Sequence, residues 1–167
     1  MRDIYVYASG KVIAGDKEYK CALGKNGVTA NKEEGDWATP LGSFPIRRLF
    51  YRPDRLAEPK TDLVTVAIEP NYAWSDDPLM PEYNTLVRLP YGGSHEKLWR
   101  EDEVYDLVVE LGYNDDPPIP GRGSAIFMHI ARPGYTPTAG CIALAKEDLL
   151  ELLMSVEKNG VVHVNEA

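Results

Sequence analysis

Short runs in which apolar and polar residues alternate with a period of two dominate this chain and predict a mainly β protein. Ile4-Tyr5-Val6-Tyr7 and Lys11-Val12-Ile13 flank Ser9-Gly10 and read as a hairpin, with Tyr19 to Leu23 as the next strand, ended by Gly24. Ser43-Phe44-Pro45-Ile46 is a further strand. Pro45 has no amide hydrogen to donate, which confines that strand to a sheet edge or a bulge. Leu63 to Ile68, Tyr105 to Leu111 and Ser124 to Ile130 continue the set, and Val161 to Val164 closes it. One segment has a different period. Leu149, Leu150, Leu152, Leu153 and Val156 form an apolar stripe opposite Lys146, Glu147, Glu151 and Glu157, which predicts an amphipathic helix ended by Asn159-Gly160. The loops Glu69 to Tyr83 and Tyr113 to Gly123 are long and rich in Pro, Gly and Asp, a pattern more often functional than idle. A short helical lid is expected around Leu98-Trp99-Arg100.

Composition narrows the class. The chain has 167 residues with 44 % hydrophobic and 26 % charged content, and is expected to form one domain over residues 1–167. No run approaches the roughly 20 apolar residues of a membrane span, so no membrane partner is expected. A formal net charge of −8, with acidic residues spread along the chain, argues against nucleic acid as a partner. The first residues alternate like a strand and lack the apolar core of a signal peptide. Cytoplasmic localisation is therefore the expectation. A reducing compartment also disfavours a disulfide between Cys21 and Cys141, the two cysteines.

The candidate chemistry lies in Ile126 to Leu144, IFMHIARPGYTPTAGCIAL. His129 ends the apolar run Ala125-Ile126-Phe127-Met128, and Cys141 begins Cys141-Ile142-Ala143-Leu144. Two neighbouring strands joined by a loop can bring imidazole and thiol together. A free thiol is only slightly ionised at neutral pH, and an adjacent imidazole can take its proton to give a nucleophile that attacks acyl carbons. Gly140 lets the backbone turn sharply, so that N–H groups around Gly140 and Cys141 can face a developing oxyanion. No acidic side chain is close in sequence to His129, which leaves a backbone carbonyl to orient it. From spacing alone, a buried inert cysteine beside a core histidine remains an equal alternative.

Thr138-Ala139-Gly140-Cys141-Ile142, preceded by His129, resembles the signature of the YkuD-type L,D-transpeptidase catalytic domain family, a His followed by Ser/Thr-x-Gly-Cys. Upstream, Thr39-Pro40-Leu41-Gly42-Ser43-Phe44 is similar to the family's Thr-Pro-x-Gly-x-Phe segment. The resemblance implies a β-sandwich-like fold of mixed sheets with one or two helices, and catalytic roles for Cys141, His129 and Gly140. It also implies a two-step acyl transfer on peptidoglycan stem peptides. The cysteine releases D-alanine and forms a thioester, which an amine resolves into a cross-link or water hydrolyses. Two positions depart from the pattern: Ala139 replaces a histidine common before Gly-Cys, and Ala143 replaces an arginine. Arg122 and Arg132 flank the histidine strand and are the candidates to supply the missing cation, since guanidinium grips carboxylates. Among family members, the chain is similar to leaderless cytoplasmic L,D-carboxypeptidases of cell-wall recycling. That subgroup implies a soluble tetrapeptide or muropeptide as partner, and the family implies covalent inhibition by carbapenems. An L,D-transpeptidase and a non-catalytic wall-peptide-binding domain are the alternatives.

Tyr113, Asn114, Ser124 and Thr138 are the remaining substrate-binding candidates because they lead into the histidine strand or precede the cysteine. Tyr72, Trp74, Asp76, Asp77, Tyr83 and Asn84 form an aromatic and acidic loop, expected mainly to pack on the core. His95, His129 and His163 have no metal-ligand spacing, so neither a metal nor another cofactor is expected. His95 reads as a solvated loop residue, and His163 and Cys21 as structural.

Overall fold

The alternation at the N-terminus builds the first three strands, and later segments close the sheet around them. The computed structural model describes residues 1–167. It contains β1 (Asp3–Tyr7), β2 (Lys11–Ala14), β3 (Lys17–Ala22), β4 (Val28–Thr29), β5 (Thr39–Pro40), β6 (Gly42–Tyr51) and β7 (Thr65–Ala67). There follow β8 (Tyr72–Ser75), β9 (Leu86–Arg88), β10 (His95–Lys97), β11 (Leu107–Leu111), β12 (Phe127–Ile130), β13 (Ile142–Leu144), α1 (Lys146–Ser155) and β14 (Val161–Asn165). The main sheet runs β11-β12-β13-β3-β2-β1-β14-β6-β7, and β6 also pairs with β11, so eight strands close into a ring with β7 outside it. Pairing is mixed: β1–β14, β12–β13 and β6–β7 are parallel and the other main-sheet pairs antiparallel. The mainly β fold with a single helix agrees with the sequence reading. Its two expected layers are opposite walls of one closed sheet.

Strand periodicity divides the apolar residues into two cores. Inward positions such as Val6, Val12, Leu49, Leu107, Val109, Met128, Ile142 and Leu144 belong to a cluster of 25 buried residues inside the ring. The helix adds Leu149, Leu152 and Leu153 to that interior, and Val156 just after it joins them. Each such side chain contributes about 1.5–3 kcal/mol on burial. Outward positions of β6, β11 and β12, namely Phe50, Val108 and Phe127, join a second cluster of 11 with Tyr72, Trp74, Leu98 and Tyr105. This outer core is covered by a small antiparallel sheet ordered β10-β8-β9. Strands β11, β12 and β13 are consequently buried at every position.

Several segments differ from the sequence expectation for identifiable reasons. Pro45 does not mark an edge: β6 extends to Tyr51, pairing first with β14 and then with β11. The irregularity falls beside it, where Arg47 is skipped in the β11 register. Leu63 to Ile68 contributes only the three residues of β7. The loop Glu69 to Tyr83 contains β8, and Leu98 is a fully buried side chain following β10 rather than part of a helical lid. The helix ends at Ser155, before Asn159-Gly160.

Candidate active site

The turn that carries the cysteine is held by its own threonine. Thr138 Oγ1 accepts from the Gly140 amide at 3.0 Å and donates to the Cys141 carbonyl at 2.7 Å. The Thr138 backbone is bonded in turn to Leu23 and Lys25 beside Gly24. Thr39 completes the clamp, its buried hydroxyl accepting from the Gly24 amide at 2.9 Å. Gly140 has φ +142°, and a Cβ there would lie 2.8 Å from the Ala38 carbonyl oxygen. The two distant sequence motifs are thus parts of one packed junction, and glycine is required where the Ala38 backbone crosses Gly140.

His129 and Cys141 face outward from the ring, towards the small sheet. In the parallel pairing of β12 with β13, His129 is opposite Ala143, which shares a face with Cys141 two residues earlier. Both side chains line one cavity of about 270 Å³. His129 Nδ1 donates to the Ile130 carbonyl at 2.9 Å. A carbonyl only accepts, so the hydrogen lies on Nδ1 and Nε2 remains as the basic nitrogen. Cys141 Sγ donates to the Ala125 carbonyl at 3.1 Å and accepts from the Phe127 amide at 3.4 Å; no hydrogen bond joins it to His129. Ala125 adopts φ +55°, a strained conformation for a residue with a Cβ, at the point where it holds the thiol. Its amide donates to Asn84 Oδ1 at 3.0 Å.

Burial sets the resting protonation. It depresses the His129 imidazole to about 4 and pushes the Cys141 thiol up to about 12. The resting pair is therefore a neutral imidazole and a neutral thiol, not a preformed ion pair. The Gly140 amide is occupied by Thr138, whereas the Cys141 amide has no acceptor and is the free donor beside the thiol.

The sequence candidates separate clearly in space. Cys141, His129, Gly140, Thr138, Ser124 and Arg132 all line the cavity. Arg122 does not; it is exposed, and it is its carbonyl that accepts the Tyr113 hydroxyl. Tyr113 packs edge-on against Phe44, outside the cavity. Asn114, at φ +50°, donates to the Ile119 and Gly123 carbonyls and so shapes its own loop. Trp74 is buried, with its indole N–H donating to Asn84 Oδ1 at 2.9 Å. His95 and His163 lie away from the cavity, the latter between Ser43 and Asp3. Cys21 points into the ring interior and Cys141 to the outside, and both are free thiols.

The structure adds cavity residues that spacing did not reveal: Lys32, Glu34, Trp37, Glu96, Arg100 and Tyr105. Their segments are remote in sequence from the cysteine and reach it only through the closed sheet and its cover. No cluster of His, Cys, Asp and Glu side chains suits a metal ion. No helix is long and apolar enough to cross a membrane.

A family model described as the YkuD L,D-transpeptidase catalytic domain matches residues 1–164. The chain belongs to this family. No curated protein matches it closely enough to add to that assignment. Among solved structures, a variant of the helical cell shape determining protein Pgp2 from Campylobacter jejuni is 18 % identical, with a TM-score of 0.52 over 98 % of this chain and 46 % of that one. The L,D-transpeptidase 1 of Mycobacterium tuberculosis is 12 % identical, with a TM-score of 0.46 over 97 % of this chain and 57 % of that one. An L,D-transpeptidase from Mycobacterium smegmatis is 14 % identical, with a TM-score of 0.46 over 98 % and 58 %. The chain spans about half the length of these solved proteins, and the likeness to Pgp2 is one of fold.

In this YkuD domain, Ala143 stands opposite His129 where the family pattern leads one to expect arginine. Cations approach the same cavity from elsewhere. Arg100 forms two hydrogen bonds with Asp102, and Arg132 lies 3.9 Å from the same carboxylate. Both line the cavity, and each has guanidinium N–H groups beyond those turned to Asp102.

Proposed function

We propose that this YkuD domain is a cysteine acyltransferase acting on peptidoglycan stem peptides, and that its dominant reaction is L,D-carboxypeptidase cleavage. The observation that supports this reading is the pairing of Cys141 with Arg100 and Arg132 around one small cavity. A terminal carboxylate gripped by guanidinium places the last peptide bond of a short chain over the thiol. A cavity of about 270 Å³ suits a single peptide end better than two long stems. Three cationic side chains, Lys32, Arg100 and Arg132, face three acidic ones, Glu34, Asp76 and Glu96, which suits a substrate carrying both charges.

The chemistry follows from the resting hydrogen bonds. Substrate entry exchanges the thiol's bond to the Ala125 carbonyl for proton transfer to His129 Nε2. The sulfur attacks the acyl carbon, and the carbonyl oxygen takes up negative charge facing the Cys141 amide. Collapse breaks the C–N bond, and the imidazolium returns its proton to the departing D-alanine amine. Water then attacks the thioester with His129 again as base, releasing the shortened peptide and restoring the thiol. The same reading places the reaction on soluble fragments in the cytoplasm, where the unpaired Cys21 and Cys141 stay reduced.

Incubation with a diaminopimelate-containing tetrapeptide is expected to release D-alanine and leave a tripeptide, read by mass spectrometry, with no release by Cys141→Ala. Absence of the tripeptide, or retained activity in that variant, would sink the mechanism. An amine-bearing acceptor stem in the same assay distinguishes the two fates of the thioester, since a dimeric product favours transpeptidation. A carbapenem, being a strained acyl donor, is expected to add its mass to Cys141 of the intact protein.

A further inference from the structure

One carboxyl group in the cavity has no place in the reaction just described. Glu96, on β10 of the covering sheet, is half-buried and accepts a hydrogen bond from the Tyr105 hydroxyl. The Tyr105 ring stands edge-on to the His129 imidazole, with centroids 5.3 Å apart and planes at 68°. It also meets Phe127 edge-on at 5.9 Å. Tyr105 thus links the catalytic base to a carboxylate carried by the cover, and Glu96, Tyr105, His129 and Cys141 all line the same cavity.

The charges around the thiol single out Glu96. On the near loop, Lys32 is committed to Asp36, and Glu34 accepts the Tyr83 and Ser124 hydroxyls. After β8, Asp76 accepts the Ser94 hydroxyl. Beyond β10 and β12, Arg100 and Arg132 both turn to Asp102. Glu96 has no cation within 4 Å, and Tyr105 is its one donor.

We propose that Glu96 and Tyr105 form a positioning pair for the Cys141–His129 couple. Tyr105, tethered by Glu96, stands edge-on against the imidazole that the Ile130 carbonyl anchors, and the Glu96 carboxylate in the same cavity opposes negative charge on the thiol until substrate enters. The inference rests on Cys141 as nucleophile and His129 as base, but not on the identity of the peptide. The negative charge of Glu96 acts in the same direction as burial on the Cys141 thiol.

The experiment follows the alkylation of Cys141 by iodoacetamide across alkaline pH, read by peptide mass mapping, and needs no substrate. Over that range Glu96 is ionised, so Glu96→Gln removes a like charge from beside the sulfur. The alkylation profile is expected to move about one pH unit lower, a roughly tenfold faster reaction at fixed pH below the midpoint. Tyr105→Phe keeps the ring and leaves Glu96 ionised but without its donor, so the profile is expected to stay near that of the unaltered protein. Glu34→Gln, at a carboxylate in the same cavity with its own donors, is expected to leave the profile in place. An unmoved profile in Glu96→Gln, or an equal shift in Tyr105→Phe or Glu34→Gln, overturns the proposal. If the profile shifts as expected while no D-alanine is released from the tetrapeptide, the pair stands and only the substrate assignment fails.

Discussion

The same strands build two very different surfaces. On β11 and β12, Leu107, Val109, Met128 and Ile130 point into the ring, and Val108, Phe127 and His129 point out beneath the cover. Inside, the buried side chains are almost all apolar, and one residue of suitable volume can stand for another. Outside, buried polar residues at 39, 75, 84, 124, 129 and 138 hold particular partners in fixed directions. Interior stability is spread over many side chains, whereas the outer face depends on a few bonds that cannot be exchanged. Substitution on either side should therefore separate stability from activity.

The largest effect on stability is expected inside. Leu144 is fully buried on β13 directly beyond the cysteine turn. Leu144→Ala removes its methyl groups and leaves a cavity, with an expected loss of about 2–5 kcal/mol in urea unfolding. The fraction that remains folded should still be acylated at Cys141, because no polar bond of the outer face is touched. Loss of acylation without loss of stability would erase the distinction between the two surfaces.

A somewhat smaller loss of stability, with a larger loss of function, is expected at Asn84. This buried side chain accepts from Trp74 and from the Ala125 amide, and donates to the Tyr113 and Asn114 carbonyls. It thus ties the covering sheet to the strained residue whose carbonyl holds the thiol. Asn84→Ala strands these partners at a cost of roughly 2–3 kcal/mol. Tripeptide formation should fall further than the stability change requires, because Ala125 loses the contact that fixes it. Comparing unfolding midpoints with turnover measures the two effects separately.

The difference between the surfaces also explains what could be read from sequence. Alternation revealed β1, β2 and β11, and the leucine stripe revealed α1, because each pattern records one environment repeated along a short segment. Ring closure left no such record: β1 finds β14, and β6 finds β11, across long stretches of chain. The covering strands are three or four residues long, too short for a period to show. At the site, His129 and Cys141 could be named because their types suit a thiol–imidazole pair and their order resembles the family signature. Arg100, Glu96 and Tyr105 could not, since they belong to a segment that reaches the thiol only after the cover folds over the sheet. Proximity in sequence misdirected attention to Arg122, Tyr113 and Asn114, whose polar contacts stabilise their own loop.

The smallest effect tests how far the outer face excludes water and charge. Burial holds His129 neutral, lowering its imidazole from an ordinary 6.5 to about 4. In the unfolded chain the same group takes a proton first as pH falls. Folding stability supplied by the neutral imidazole is thus present above pH 6.5 and is lost progressively as pH drops towards 4. Between pH 7 and 5.5 the loss should be about 1 kcal/mol. Glu96 and Glu110, both raised by burial, act with the opposite sign, so the raw pH dependence of the protein mixes these contributions. Subtracting the urea-unfolding profile of His129→Gln isolates the imidazole, because glutamine cannot titrate. A difference that declines as pH falls from 7 to 5.5 is the expected result. A difference independent of pH would mean that the imidazole takes its proton as easily in the folded protein as in the unfolded chain. His129 would then be a solvated base, and the neutral resting pair would have to be replaced by an ionised one.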